Sequence, residues 1–124
     1  MAARAPFGYN GRMHELAVAQ SMMTVALENA AANSAKKILR IELVVGKMSG
    51  VSPDALRFAF DALKEDTIAS GAALVIEETA AEARCGACGT NFEAGQYDFH
   101  CPSCGAPVFP RGGDELYVKE LEIE

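Results

Sequence analysis

The sequence lacks several features that mark nucleic-acid-binding, membrane or secreted proteins. It has no basic run, and 17 acidic residues outnumber 11 basic ones, giving a net charge of −6. This balance argues against a partner with a phosphate backbone. The longest weakly polar stretch, residues 16–32, falls short of the roughly 20 apolar residues that span a bilayer. The N-terminal residues lack the apolar run of a signal peptide. We therefore expect a cytoplasmic protein that binds neither nucleic acid nor membrane.

Catalytic signatures are also absent from the sequence. We find no nucleophile paired with a base and no glycine-rich phosphate loop, so we do not expect an enzyme. A chain of 124 residues, half of them apolar, has enough material for one domain with a small additional lobe.

Four cysteines carry the clearest chemistry. Cys85 and Cys88 form one Cys-x-x-Cys pair, and Cys101 and Cys104 form another after a short spacer. Two such turns place four thiolates in a tetrahedron, which favours zinc over iron and leaves no open position for catalysis. Disulfides and a redox pair are the alternatives, but thiols stay reduced in the cytosol and no helix is expected after either pair. His100, directly before the second pair, is either an exchangeable ligand or an ordinary loop residue.

Residues 1–12 differ in composition from the rest of the chain. They contain a proline, two glycines, two arginines and no acid, without helical or alternating periodicity. We interpret them as a flexible leader, whether an expression scar, the product of an upstream start codon or a natural tail. Met13 is then a second candidate initiator.

Periodicity and capping residues predict two helices. Apolar or small residues recur at helical spacing over residues 15–32, with a predicted core stripe of Leu16, Ala19, Met23, Leu27, Ala30 and Ala31. Ser52, Pro53 and Asp54 supply an N-cap, a first-turn proline and an acid at the positive end of a second helix. Its predicted core residues are Leu56, Phe58, Ala59, Phe60 and Leu63. Gly71 is its predicted C-terminal breaker.

Alternating residues predict three strands. The first covers residues 38–45, with Leu39, Ile41, Leu43 and Val45 on the buried face. The second covers residues 73–83 and leads into the first cysteine pair. The third covers residues 115–123, where a bulge near Lys119 and Glu120 would bring Leu116, Val118, Leu121 and Ile123 to the same core. We interpret the acids Glu120, Glu122 and Glu124 as a solvated face in preference to a metal site.

The order of these elements predicts an α+β fold. Two helices pack on a three-stranded sheet, and a four-cysteine zinc-ribbon lobe is inserted between two strands. Residues 13–83 and 112–124 then form the main domain, and residues 84–111 form the zinc lobe.

His14 lies between Met13 and Glu15 at the head of the predicted folded region. The tripeptide alone is weak as a signal, but it occurs together with GKMSGVSPDALRFAFDAL, GAALVIEE, the two knuckles with CPSCG, and GGDELYVKELEIE. In this ordered combination, residues 13–124 resemble the HypA/HybF family, nickel chaperones for the maturation of nickel-iron hydrogenase. Each knuckle alone is found in many zinc ribbons, so the combination makes the resemblance specific.

The resemblance implies a nickel site at Met13, His14 and Glu15 and a structural zinc site at the four cysteines. It also implies nickel transfer with a HypB-type GTPase to a hydrogenase large-subunit precursor, by a protein that is a monomer or a weak dimer. Some family members also serve urease. The leader departs from the family pattern, because it gives Met13 an amide in place of a terminal amine. The alternative from another class is a zinc-ribbon adaptor for proteins or nucleic acids.

Overall fold

The computed structural model describes residues 3–4, 15–95 and 99–124. In chain order, its elements are β1 (Ala3–Arg4), α1 (Glu15–Ala32), β2 (Ile38–Gly46), α2 (Pro53–Leu63), β3 (Ala73–Thr79), β4 (Ala81–Arg84), β5 (Asn91–Ala94) and β6 (Leu116–Ile123). The predicted α+β class is confirmed. None of the helices in these residues is both long and apolar enough to cross a bilayer.

The main sheet has the strand order β1-β6-β2-β3. β2 and β3 are parallel and are connected through α2, whereas β6 is antiparallel to β2. We predicted three of these strands. The fourth, β1, pairs antiparallel with β6. A strand of two residues is too short to show the alternation that predicts strands. The edge of β6, however, offers unpaired backbone groups to any extended segment. The rest of the predicted leader, residues 1–12, lies outside the described residues.

Helix α1 begins and ends where the sequence predicts. Ser34 has a φ of 55°, and the Ala35 N–H bonds to the Ala30 carbonyl at 2.9 Å, so the chain turns out of the helix. The buried face differs in part from the prediction: Leu16 is 52% exposed and Ala31 is exposed. The buried residues of α1 are Val18, Ala19, Met22, Met23, Ala26 and Ala30. Spacing identified the helix but could not show that its first turn extends beyond the core.

Helix α2 begins with the predicted cap. The Ser52 hydroxyl accepts the Ala55 N–H at 3.3 Å, with Pro53 in the first turn. The helix ends at Leu63, with Lys64 as C-cap, so the prediction that Gly71 stops it is wrong. Phe58 is also not a core residue, because it is 78% exposed while Phe60 is 2% exposed. Two residues along a helix turn the side chain by about 200°, and only one of these rings faces the sheet.

Two irregularities set the faces of β2 and β6. The strand register shifts between Ile38 and Arg40, and Leu39 is 39% exposed, so its predicted place in the core is wrong; Ile38 is buried in its place. The predicted bulge in β6 is confirmed. Glu42 pairs with Glu120 and Leu43 with Val118, which leaves Lys119 as the extra residue.

The bulge aligns most of the apolar residues of β6 with the core. Leu116 and Val118 are buried, and Leu121 packs partly buried against the same cluster. Ile123 is 36% exposed at the end of the sheet, so it contributes less than predicted. Both helices pack against this face, where the core cluster contains residues of α1, α2, β2 and β6.

The predicted second strand is two strands. β3 pairs with β2, whereas β4 pairs antiparallel with β5 in a separate two-stranded sheet. Ala80 marks the change of partner. β5 was not predicted, because its four residues lie within the cysteine spacer and are too short to show alternation. We refer to residues 81–111 as the metal lobe and to the remaining described helices and strands as the helix–sheet domain.

Candidate metal centre

The four cysteines meet at one point of the metal lobe. Their sulfur atoms all lie within 4.8 Å of one another. Cys85 and Cys101 are buried, whereas Cys88 and Cys104 are exposed, and all four are free thiols. In the part of the chain that the structure describes, this is the one grouping of three or more potential metal ligands of the His, Cys, Asp or Glu type.

The two cysteine turns repeat one backbone pattern. In the first, the Cys85 N–H bonds to the Thr90 carbonyl at 2.9 Å, and the Gly89 N–H returns to the Cys85 carbonyl at 2.8 Å. The second repeats both bonds from Cys101 to Ala106 and from Gly105 to Cys101, each at 2.8 Å. Gly89 and Gly105 follow the second cysteine of each pair with φ near 77° and 78°. Glycine suits these positions because the left-handed conformation strains residues with a Cβ.

The sulfur separations fit a tetrahedral ion. Cys85 and Cys104 lie 3.5 Å apart across the two turns, and Cys88 and Cys101 lie 3.6 Å apart. A metal–sulfur length of about 2.3 Å gives a tetrahedron edge of about 3.8 Å. These separations are too long for a disulfide, whose sulfurs lie about 2.0 Å apart. The donor set is therefore arranged for a thiophilic metal.

The thiols differ in acidity because of their neighbours. Hydrogen bonds to the hydroxyl and backbone of Thr90 lower the pKa of Cys88 to about 6. Bonds from the backbone of Cys88 and Ala87 lower the pKa of Cys85. Although a backbone bond from Ala106 lowers it, the other thiols raise the pKa of Cys104 to about 12. Four thiols this close resist full ionisation unless a cation balances their charge.

Two groups that we did not predict support the sulfurs. The Thr90 hydroxyl lies 3.1 Å from the sulfur of Cys88, and the Ser103 N–H donates to the sulfur of Cys101 at 3.4 Å. Both residues stand two positions after a cysteine. Their positions in the knuckles differ, because Thr90 follows the second cysteine of its pair and Ser103 follows the first. The Thr90 hydroxyl is a signal that sequence reasoning could have used, because O–H donors stabilise thiolate charge, whereas the Ser103 donor is a backbone N–H.

His100 lies beside the centre without joining it. It is exposed, and its backbone forms an isolated bridge with Pro107. It does not belong to the group of mutually close ligand atoms in the described residues. The sequence left its role open, and the structure places it next to a ligand in the chain.

Hydrogen bonds tie together the segments of the helix–sheet domain that flank the metal lobe. The Gly46 N–H bonds to the Glu115 carbonyl and the Met48 N–H to the Gly113 carbonyl, both at 2.6 Å. The Thr79 hydroxyl donates to Glu115 at 2.7 Å. Met48 also packs against the buried cluster of the lobe. The lobe is thus attached at the carboxyl ends of β2 and β3.

The predicted nickel residues can be placed only in part. Met13 and His14 lie outside the described residues. Glu15 is half-buried as the first residue of α1.

The acids of β6 lie on the sheet face away from the helices, as a charged surface. The Arg40 guanidinium is 3.5 Å from Glu42, 3.7 Å from Glu120 and 3.6 Å from Glu122. Lys119 reaches Glu77 at 3.3 Å, and this hydrogen bond and the charge of Glu77 raise the pKa of Lys119. The carboxylates thus face cations of the protein, and no metal cluster forms there in the described residues.

Comparison with known proteins assigns the family. A family model described as HypA, hydrogenase/urease nickel incorporation, metallochaperone, matches residues 13–123. The chain belongs to the HypA family. The hydrogenase maturation factor HypA of Chlorobaculum parvum is 43% identical over 113 residues, covering 90% of this chain and 100% of the relative. That of Geobacter metallireducens is 40% identical over 113 residues with the same coverage.

A solved HypA structure has the same fold. The solution structure of the Ni metallochaperone HypA from Helicobacter pylori matches with a TM-score of 0.62 and 27% identity, covering 90% of this chain and 97% of that one. The HypA match begins at Met13, so the leader lies outside it. The resemblance inferred from the ordered motifs is confirmed.

Proposed function

We propose that this HypA-family chain is a nickel metallochaperone that binds Ni(II) at Met13, His14 and Glu15 and delivers it for maturation of nickel-iron hydrogenase. The observation that carries this proposal is the family match, which spans residues 13–123 and begins at the motif itself. Delivery uses a HypB-type GTPase and a hydrogenase large-subunit precursor as recipient. The protein performs no catalytic turnover and acts in the cytoplasm as a monomer or weak dimer.

The four cysteines hold a structural zinc ion in this proposal. Zinc accepts four thiolates in a tetrahedron, and the sulfur separations of 3.5 and 3.6 Å suit that geometry. All four positions are filled by protein, so no open site remains for a substrate or for exchange of nickel. Nickel and zinc therefore occupy different sites.

The start of α1 favours backbone nitrogen ligands for nickel. The first N–H groups of a helix have no intrahelical acceptor, so the Glu15 amide is not committed to a helix bond. An amide that loses its proton to a metal becomes anionic, which the positive end of the helix dipole stabilises. With the His14 imidazole and amide, it gives a planar nitrogen set suited to Ni(II) or Cu(II).

Copper would bind such a set more tightly than nickel. The Irving–Williams order places Cu(II) above Ni(II) for nitrogen donors. Selectivity in the cell must therefore come from metal availability and from the partner proteins. A site at the outer end of a helix suits transfer, because a partner can approach it without unfolding the core.

A nickel titration tests the proposal. The full-length protein should hold one zinc per chain, and nickel should bind in addition, more weakly than zinc. His14→Ala should abolish the nickel absorption band while zinc content stays at one. His100→Ala is the matched control and should bind nickel as the parent does. Undiminished nickel binding by His14→Ala would reject the assignment, and no nickel binding by the parent would favour the zinc-ribbon adaptor.

The leader provides a second test of the nickel ligands. A terminal amine with a pKa of about 7.7 to 8.0 loses its proton easily near neutral pH, whereas an amide ionises only with the help of a bound metal. A chain that begins at Met13 should therefore bind nickel more tightly at pH 7 than the full chain does. Binding by the full chain should fall more steeply as the pH is lowered. Equal affinities of the two chains would exclude the terminal amine as a ligand.

A further inference from the structure

The outer edge of β6 is mostly uncovered. One side of β6 pairs with β2 along its length, but on the other side only Ala3 and Arg4 lie opposite, at Val118 and Tyr117. From Lys119 to Ile123, no strand of the described residues covers this side. An open strand edge presents backbone donors and acceptors that an extended chain can pair with.

The strand that covers part of this edge comes from outside the family region. The family match begins at Met13. The alignments with the two relatives use 90% of this chain and include the full length of each relative. Residues 13–124 therefore contain everything that these relatives use to fold. Among the strands of the described residues, β1 is the one that pairs with the outer edge of β6.

Charge favours a basic occupant of this edge. Glu120, Glu122 and Glu124 lie in or directly after β6. Arg40 faces the first two together with Glu42, and Lys119 reaches Glu77 and lies near Glu42. Two cations, Arg40 and Lys119, among the four carboxylates of Glu42, Glu77, Glu120 and Glu122 leave negative charge uncompensated. The leader, residues 1–12, carries two arginines and no acid. An acid-free basic strand is thus complementary to the edge at which β1 lies.

The same charges disfavour a second copy of this chain. Two β6 edges paired antiparallel would bring the acids of both copies together, and like charges across a sheet are destabilising. The bulge at Lys119 also interrupts the ladder, so the edge does not offer a long flat template. A short segment of opposite charge fits these constraints better than self-association does.

We propose that the outer edge of β6 is a docking surface for an extended basic segment of a partner protein, and that the leader competes with this segment in cis. The partner strand pairs antiparallel with β6, as β1 does. The leader is tethered to the domain through residues 5–14, and a short tether gives it an effective concentration on the order of millimolar. A partner segment must therefore displace the leader from the β6 edge to bind the full chain.

The test uses the leader as a synthetic peptide. Zinc-loaded, 15N-labelled chain 13–124 is titrated with the peptide MAARAPFGYNGR, and backbone amide shifts are followed by NMR. We expect saturable changes centred on Tyr117 and Val118. The full chain should bind the same peptide at least about twofold more weakly, because its own leader occupies the edge. No saturable change in β6 at millimolar peptide, or equal affinity of both chains, would overturn the proposal.

Two controls separate strand pairing from general charge attraction. A peptide with Ala3→Pro keeps both arginines but lacks an N–H donor of β1 and should bind β6 more weakly; binding equal to that of the parent peptide would count against strand pairing. In chain 13–124, Glu120→Gln with Glu122→Gln should weaken peptide binding about twofold to fivefold. The matched variant Glu82→Gln with Glu93→Gln removes the same charge from the metal lobe and should leave binding unchanged. Equal weakening by both pairs would reject the assigned edge. The samples contain no nickel, so failure here leaves the nickel proposal intact.

Discussion

The helix–sheet domain and the metal lobe are held together by different means. The domain buries large apolar side chains such as Met22, Leu43 and Leu56 between helices and sheet. The buried cluster of the lobe is Ala81, Ala83, Cys85, Ala94, Cys101 and Val108. Alanines and one valine remove little apolar surface from water, and two members of the cluster are metal ligands. The domain can therefore fold on its core, whereas the lobe depends on its metal.

The contacts between the two parts make this comparison testable. Met48 of the domain packs against the buried cluster of the lobe. Gly113 lies so close to Ala81 that a Cβ on it would be 2.6 Å from the Ala81 nitrogen. The main core lies on the helix-covered face of the sheet, and the lobe has a cluster of its own. Loss of the lobe should remove the contacts at one end of the sheet and leave the apolar core intact.

The largest effect is expected from removing the metal. Structural zinc contributes about 10–16 kcal/mol of apparent binding free energy near pH 7, which is folding free energy for a lobe with so small a core. A chelator, or Cys88→Ser, should abolish amide protection in residues 81–111 and preserve it in α1 and α2. Hydrogen exchange measures both regions in one sample. Ser103→Ala, which keeps the backbone donor to Cys101, should retain zinc. Simultaneous loss of protection in α1 would contradict the independence of the two parts.

Removing a buried aromatic ring of the domain should lower the stability of the domain without releasing the metal of the lobe. Phe60→Ala leaves a cavity under α2 and should cost about 3–5 kcal/mol of unfolding free energy. Phe58→Ala makes the same change on the same helix at a ring that is 78% exposed, and should cost less than about 1 kcal/mol. Urea unfolding followed by far-UV circular dichroism measures the difference. Zinc content should stay at one per chain in both variants, and similar costs for the two would refute the assigned helix face.

The contrast between these rings shows what sequence patterns could provide. Helical spacing predicted both bounds of α1, and the Ser52 cap predicted the start of α2, because both signals are local. The same spacing placed Phe58 and Leu16 in the core, although no element of the described residues covers them. Periodicity shows which residues share a face, but the width of the buried stripe depends on the neighbouring elements.

Strand pairing could be predicted only where it changes the alternation of apolar and polar side chains along the sequence. The bulge at Lys119 could be inferred because apolar residues change phase there. The change from β3 to β4 at Ala80 could not, since alternation continues while the partner strand changes. The cysteine spacing predicted that the four sulfurs would come together, because two Cys-x-x-Cys turns allow few arrangements. Met13 and His14 lie outside the described residues, and their role stays a prediction.

The junction between the two parts should be sensitive to a single methyl group. Gly113 has a φ of 73°, and a Cβ there would lie 2.6 Å from the Ala81 nitrogen, where the lobe begins. Gly112 has a φ of 78°, but a Cβ there would approach only the Glu115 side chain, at 3.9 Å. Gly112→Ala should cost about 1–2 kcal/mol from left-handed strain. Gly113→Ala should cost more and alter exchange on both sides of the junction. Equal losses of unfolding free energy in the two variants, measured by urea unfolding, would mean that the close approach of Gly113 to Ala81 does not restrict residue 113.

The smallest effect should come from the cap of α2, and it should be confined to the domain. The Ser52 hydroxyl accepts the Ala55 N–H at 3.3 Å, satisfying one of the donors left free at the start of α2. Ser52→Ala should therefore lower the unfolding free energy by about 1 kcal/mol. Ser70→Ala, an exposed serine in the turn after α2, should change it by less than about 0.5 kcal/mol. Because the cap has no contact with the cysteines, chelator-induced zinc release should proceed at the parental rate in both variants. Faster release from Ser52→Ala alone would show that the stability of α2 is transmitted to the lobe.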